Sequence, residues 1–176
     1  MKGTVAITGA GGIIGGIVRS RLLRDGWNVI GVDRASPKSQ GGPGVDGGTL
    51  VDPSAVDRAV GDLSNRADTR GIFDGCSHVI HLAAQGSPDA SHDDILQNNI
   101  IGTLNVLDEA ERCKTVRRVV FASSNHTQCG AVIGKDAYYD PALLPNGKAM
   151  ALDDRRTPSS FYGESVQCHD AAVCCC

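Results

Sequence analysis

The chain has 176 residues, enough for one domain that buries roughly two-thirds of its unfolded surface. It is 41% hydrophobic, 21% charged and only 4% aromatic, an ordinary globular composition whose core must be built mostly from Val, Ile, Leu and Ala. A formal net charge of -3 gives no basic footprint for nucleic acid or an acidic membrane surface, and no apolar run approaches the roughly 20 residues that span a bilayer. The first residues carry no charged n-region followed by an apolar h-region, so the expectation is a cytoplasmic protein with neither nucleic acid nor membrane as a partner.

Thr4–Thr8 is a short run rich in β-branched residues that breaks into Gly9, Gly11, Gly12, Gly15 and Gly16, with a helical pattern directly behind. Gly9 and Gly11 supply half of the common G-x-G-x-x-G fingerprint, but its third glycine would fall on Ile14. The spacing that fits is Gly9-x-x-Gly12-x-x-Gly15, with Thr8 in front. A strand, a tight glycine turn and a helix in this order let the backbone approach a pyrophosphate, which rests on the N–H groups at the helix start. The bland alternative is a glycine-rich turn that binds nothing.

Ile14, Ile17, Val18, Arg21 and Leu22 recur at helical spacing, and Gly26 stands where a helix stops. Trp27–Asp33 reads as a second strand ending in a carboxylate, in the region where a dinucleotide fold needs an acid for the adenosine ribose hydroxyls. An acid there repels a 2′-phosphate, so Asp33 points to NAD over NADP, with Arg34 beside it as a counterweight; otherwise it is a surface Asp at a strand end. Residues 35–48 are rich in Pro, Gly and Ser and form a loop, and a helical piece is expected around Pro53–Arg58. The third strand, near Arg58–Gly61, is the weakest, with Asp62-Leu63 at its end. Asp68–Phe73 could form one or two helical turns closed by Asp74-Gly75.

Ser77–Ala84 is a fourth strand whose small C-terminal residues would let a cofactor lie close. Gln85–Asp94 is polar and loop-like, with Asp89, His92, Asp93 and Asp94 as a solvated stretch. A long helix runs from Ile95 to Ala110, and Val116–Ala122 is a fifth strand leading into Ser123-Ser124-Asn125-His126. Gly130–Thr157 lacks periodicity and reads as an excursion over the site, and a helix starts at Pro158-Ser159-Ser160. Strands alternating with helices make an α/β fold with a parallel doubly wound sheet, and ligand sites in such sheets lie at the carboxyl ends of the strands. The polar groups singled out above fall at those ends.

The order of motifs resembles the extended short-chain dehydrogenase/reductase, or NAD-dependent epimerase/dehydratase, family. The matching residues are Thr8–Gly15, Asp33, Asp62-Leu63, His81–Ala84, Asn98–Thr103, Ser123-Ser124 and Tyr162–Ser165, and Ala122–His126 is similar to the uronate dehydrogenases and related sugar or sugar-phosphate dehydrogenases. The resemblance implies a Rossmann-type sheet in the order 3-2-1-4-5, with residues 1–165 as a partial NAD-binding domain. It further implies that the family's later strands and small substrate domain would be missing, with 166–176 expected as an aberrant cysteine-rich tail. It implies that Gly9, Gly12, Ile13, Ile14 and Gly15 hold the pyrophosphate of NAD, Asp33 the adenosine ribose, Asp62 and Leu63 the adenine, while Ala83 and Ala84 line the cofactor. Ser124 would hold the reacting oxygen, Tyr162 would be the general base, and Asn99 would join their hydrogen-bond network. Ser87, Asn125 and His126, with Ser124, would contact a sugar, the small-molecule partner. The long helix from Ile95 and the segment from Ser160 would pack on neighbours or on a second subunit, as in a homodimer.

A tyrosine base needs its pKa of about 10 brought towards neutrality, and the family does this with a lysine one helical turn later, at about 1.4 kcal/mol per pKa unit. That position is Val166 here, and Lys148 is the nearest lysine in sequence. Two functions follow: an NAD-dependent oxidoreductase of a sugar, uronate or sugar phosphate, or a catalytically inactive nucleotide-binding relative of one. A serine–histidine hydrolase built on Ser124 and His126 lacks a G-x-S-x-G elbow. His78 and His81 fit a buried strand better than a metal site. The seven cysteines, an odd number with four crowded at the C-terminal end, argue against a disulfide framework. Three in a row are not spaced for a tetrahedral zinc site, so no metal is expected, and an altered reading frame explains the tail better.

Overall fold

The computed structural model describes residues 2–34, 57–87, 89–128, 158 and 160–174, with backbone alone for 57–60 and 169–174. The expected loop over 35–48, the excursion over 130–157 with Lys148, and Cys129 lie outside the described residues. Five strands, β1 (Thr4–Thr8), β2 (Asn28–Asp33), β3 (Asp57–Val60), β4 (His78–His81) and β5 (Arg118–Phe121), form one sheet in the order β3-β2-β1-β4-β5. Every pairing is parallel, with Thr4 opposite Asn28, Val5 opposite His78, and His78 opposite Arg118. This is the expected doubly wound topology.

Alternation along the central strands sends side chains to two cores. Ala6, Ile30, Val32 and Val79 point to one face, where they meet Phe73 and Val106 and Ala110 of helix α4 (Gly102–Arg112). Val5, Ile7 and Val29 point to the other, where Val18, Leu22 and Leu23 of α1 (Ile13–Arg24) and Trp27 cover them. Each such Val or Ile contributes about 1.5–3 kcal/mol by leaving water. The α1 stripe differs from the expected one: Ile14 and Ile17 are 63% and 47% exposed. The sheet-facing row is Gly15, Val18 and Leu22, and Gly15 is buried where the periodicity suggested an isoleucine. Gly26, at φ +79°, ends the helix as expected, its N–H donating to Leu23 O while Trp27 N–H donates to Leu22 O.

Several boundaries move for local reasons. Asp57, expected in a helical piece, is a strand residue of β3, as is Arg58, where that piece and the third strand were both expected, and the rest of the piece lies outside the described residues. The short helix α2 (Arg66–Thr69) starts earlier than expected because the Asn65 side chain accepts from Ala67 N–H, and it also ends earlier, at Thr69, with Arg70–Phe73 in turns. β4 and β5 are shorter than their apolar runs. The helix expected from Ile95 starts at His92, inside the stretch expected as loop: α3 (His92–Ile95) is capped by Ser91, which accepts from Asp94 N–H, and a π-helical segment, Leu96–Ile101, joins it to α4. Helix α5 (Phe161–Cys174) begins where expected and continues without a break past Ser165. Among the described residues no helix is long and apolar enough to cross a membrane. The chain divides into two compact units, Met1–Ala84 with Ile101–Ala122, and Gln85–Ile100 with Ser123–Cys176.

Candidate active site

In the first unit, the ends of β1 to β4 are tied into one surface. Gly9 N–H and Ala10 N–H donate to Val32 O, Gly11 N–H donates to Asp33 Oδ2 at 2.9 Å, and Gly61 N–H donates to Asp33 O. Gly9 has φ +70°, and a Cβ there would lie 2.8 Å from Ala83 N, so the small residues after β4 are pressed against the turn. A Cβ on Gly15 would overlap the Gly9 carbonyl oxygen, and one on Gly12 would lie 3.3 Å from it. The three glycines therefore answer three needs of one turn: positive φ, an exposed backbone, and a helix start seated on the loop.

The arrangement suits an anionic ligand. No side chain caps α1, whose N-cap is Gly12, so its first N–H groups face outward at the positive end of the helix dipole. Ile13 and Ile14 stand 82% and 63% exposed on that first turn, an apolar surface that a bound dinucleotide would cover. Asp33 braces the turn with one oxygen and receives Arg34 N–H at 2.7 Å with the other, and each oxygen retains a second lone pair for a ribose hydroxyl.

Beyond β3, Asp62 Oδ1 accepts both the N–H (2.9 Å) and the hydroxyl (2.8 Å) of Ser64. Those two bonds, backbone first, with the Arg34 charge, hold the Asp62 carboxyl below its ordinary range against a small effect of burial. Leu63 is half-buried against the first core. Sequence reasoning missed what holds this loop. Asn105 of α4, itself buried, donates from Nδ2 to Leu63 O at 2.8 Å and Ser64 O at 3.2 Å. One turn on, Asp108 pairs with Arg66 at 2.7 Å and Glu109 accepts Gly71 N–H at 2.7 Å, and Arg112 reaches Asp74 at 2.6 Å.

Asp74, Glu109 and Cys113 bring ligand atoms within 4.8 Å of one another, but the Arg112 guanidinium already supplies the cation for both carboxylates. Burial, with the neighbouring carboxylates, pushes the Cys113 thiol up to about 12, so it stays protonated and is a poor metal ligand.

Thr8 lies at the centre of the β1–β4 junction and is fully buried. Its Oγ1 accepts Leu82 and Ala83 N–H at 3.3 Å each, so its proton goes to His81 Nδ1, 2.6 Å away. The other ring nitrogen then donates to Thr103 Oγ1 at 2.9 Å. His81 is a structural residue, in line with the sequence expectation.

The second unit gathers the other group of expected residues. Ser124 follows β5 and caps a 3-10 turn, Asn125–Thr127, accepting His126 N–H at 3.2 Å. The His126 ring meets the Tyr162 ring edge-on with centroids 5.3 Å apart, and Gly163 lies so close to the His126 carbonyl that a Cβ there would overlap it. Asn99, buried in the π-helical segment, accepts Gln85 N–H at 2.7 Å and donates to Gln85 O at 3.1 Å and Ser165 Oγ at 3.3 Å. Ser165 in turn donates to Tyr162 O at 2.7 Å. Asn99 thus reaches Tyr162 through Ser165, which the sequence did not single out. Ser87 is exposed and accepts Asp89 N–H, and Asn125 is exposed at the start of its turn. Val166 is 4% exposed on α5.

Comparison with known proteins agrees with this geometry. Residues 5–173 match the NAD dependent epimerase/dehydratase family. The chain is 30% identical over 161 residues to an L-arabinose 1-dehydrogenase (NAD(P)(+)) of Haloferax volcanii, spanning 92% of this chain and 56% of that protein. It is 34% identical to an NAD-dependent glucose-6-phosphate dehydrogenase of the same organism, over 94% of this chain and 59% of the relative. Among solved structures, uronate dehydrogenase from Agrobacterium tumefaciens superposes with a TM-score of 0.71 at 25% identity, covering 97% of this chain and 54% of that one. UDP-glucose 4-epimerase of Thermus thermophilus, in complex with NAD, gives 0.73 at 25% identity, covering 98% and 50%. The chain therefore spans somewhat more than half the length of the curated relatives it matches. It belongs to the NAD-dependent epimerase/dehydratase family.

Proposed function

We propose NAD-dependent oxidoreduction of a sugar, uronate or sugar phosphate as the function of this chain. The observation that carries this reading is the glycine turn braced by Asp33, an uncapped helix start beside an acid suited to a ribose. Gly9, Gly12 and Gly15, with Ile13 and Ile14, would hold the pyrophosphate, Asp33 the ribose, and Asp62 and Leu63 the adenine, while Ala83 and Ala84 leave room beside β4. Bound there, the nicotinamide supplies a two-electron acceptor for hydride. In the second unit Ser124 would donate its hydroxyl proton to the substrate oxygen, and Tyr162 Oη would take the proton that this oxygen loses. Asn99 and Ser165 would hold the turn of α5 that carries Tyr162, and Ser87, Asn125 and His126 would meet the sugar. The sugar-acting relatives support this substrate class.

A second reading has its own observation: Val166, where the family places a lysine, is an apolar side chain buried on α5. In that reading the chain binds NAD and turns nothing over. Calorimetric titration with NAD, followed by NADH production assayed with aldoses, uronates and hexose phosphates at high protein concentration, separates the two. Binding with turnover supports the oxidoreductase, binding without turnover the inactive relative, and no binding overturns both.

A further inference from the structure

We infer that Asn105 is a positioning residue for the adenine side of the cofactor site, acting from α4 across 42 residues of sequence. The inference rests on the reading that Asp62 and Leu63 flank the adenine. Its basis is the way one side-chain amide is used. Both hydrogens of Nδ2 are spent on adjacent main-chain carbonyls, Leu63 O at 2.8 Å and Ser64 O at 3.2 Å. Two successive carbonyls turned to the same donor fix the peptide units on either side of Ser64 Cα. The first of these units carries the Ser64 N–H that orients the Asp62 carboxylate.

Few side chains can do this. An aspartate has no proton to give at neutral pH, leucine has the shape without donors, and serine has one hydrogen. Asn105 is itself buried, and removing it leaves two half-buried carbonyl oxygens without this donor. The apolar anchor of the loop is Leu63 on the first core, which does not orient main-chain carbonyls, and the other links from α4 are the exposed Arg66–Asp108 pair, the Glu109–Gly71 contact and the Arg112–Asp74 pair. Exposed pairs hold geometry weakly. Asn105 therefore acts with the Gly61 N–H to Asp33 O bond and the packing of Leu63 to set where Asp62 and Leu63 stand relative to the glycine turn of the same unit.

The test compares two ligands on the intact chain. ADP-ribose presents adenine, ribose and pyrophosphate, and inorganic pyrophosphate presents only the part expected at the glycine turn. For Asn105→Ala, and more strongly for Asn105→Asp, calorimetry should show ADP-ribose affinity falling about ten-fold or more, with pyrophosphate affinity unchanged. Equal affinities for ADP-ribose in variant and wild type overturn the inference. So does an equal loss for both ligands, which marks general loosening of the unit. Should Asn105→Ala not melt cooperatively, Asn105→Asp keeps the side-chain volume and carries the comparison. Hydrogen exchange on the wild type supplies an arm without variants: ADP-ribose should slow exchange across residues 62–65, and unchanged exchange there counts against the inference. Failure of wild type to bind ADP-ribose at all overturns the cofactor reading itself and the inference with it.

Discussion

At the scale of single residues, the glycine turn makes the sharpest demand. Glycine is the only residue type that fits at Gly15, because any Cβ would collide with the Gly9 carbonyl oxygen, and backbone cannot swing aside as a long side chain can. Gly15→Ala should cost about 1–3 kcal/mol of stability by forcing the first turn of α1 off the loop. It should also weaken NAD binding by more than the fall in melting temperature would explain, since the displaced N–H groups are those that would face the pyrophosphate. Calorimetry with NAD, alongside a thermal melt, checks both halves. Val166 makes the opposite point. Val166→Lys would restore the family's residue type, but it places an ammonium at a site only 4% exposed, and an uncompensated buried charge is costly. The variant should melt lower than wild type, and NADH production with any of the sugars should not rise; a clear gain in turnover would show the pocket ready for the lysine.

At the scale of elements, the polar row on α4 adds to an apolar contact, that of Val106 and Ala110 with Phe73. Asn105, Asp108, Glu109 and Arg112 recur at helical spacing and grip residues 63–74. Glu109 is the buried acid of the row. Burial raises its pKa, but hydrogen bonds from Arg112 and Gly71 N–H, with Cys113 and the Arg112 charge, outweigh that and leave it below its ordinary value of 4.5. A depressed carboxyl contributes stability above the unfolded pKa and loses it as pH falls through the folded one. Stability should therefore decline below about pH 4.5, and Glu109→Gln should flatten that decline while lowering stability at pH 7. Urea midpoints measured between pH 7 and pH 3 test this, and parallel curves for wild type and variant would remove Glu109 from the account.

The same elements show what the sequence could carry. β1, its glycine turn and α1 were legible because strand, turn and helix signals follow one another within a few residues, and α5 because Pro158 and Ser160 mark its start. The row on α4 was not, because the partners of Asn105 are main-chain carbonyls far back in the chain and leave no mark in side-chain type. The start of α3 was hidden for a simpler reason: His92, Asp93 and Asp94 are polar, and the only local sign of a helix there is the Ser91 cap with Asp94 three residues on. Ile14 and Ile17 misled in the other direction, since periodicity cannot tell a core stripe from an apolar row left exposed.

At the scale of the whole molecule, the two compact units divide the expected functions. Every residue expected at the cofactor lies in Met1–Ala84, while Asn99, Ser124 and Tyr162 lie in the other unit. On the proposed assignment, cofactor binding would be a property of the first unit. Anything that binds the folded chain and not the unfolded one stabilises it by mass action, by about 2.7 kcal/mol at a hundred times Kd. For a chain of this size that corresponds to a rise in Tm of roughly 5–10 °C. NAD at that concentration should produce such a rise, and ADP-ribose should produce most of it, because the groups assigned to the adenosine and pyrophosphate lie in that unit. NADP should produce less, since a 2′-phosphate would be brought against Asp33. Equal shifts with NAD and NADP would make Arg34 the stronger neighbour and assign the ribose end to either cofactor. Hydrogen exchange should show where the added stability resides. Protection on NAD binding is expected at residues 9–16, 33–34, 61–65 and 82–84, which are the ends of β1 to β4. If protection appeared instead only around Ser124 and Tyr162, the dinucleotide would be bound by the other unit, and the glycine turn would be a structural feature with no ligand.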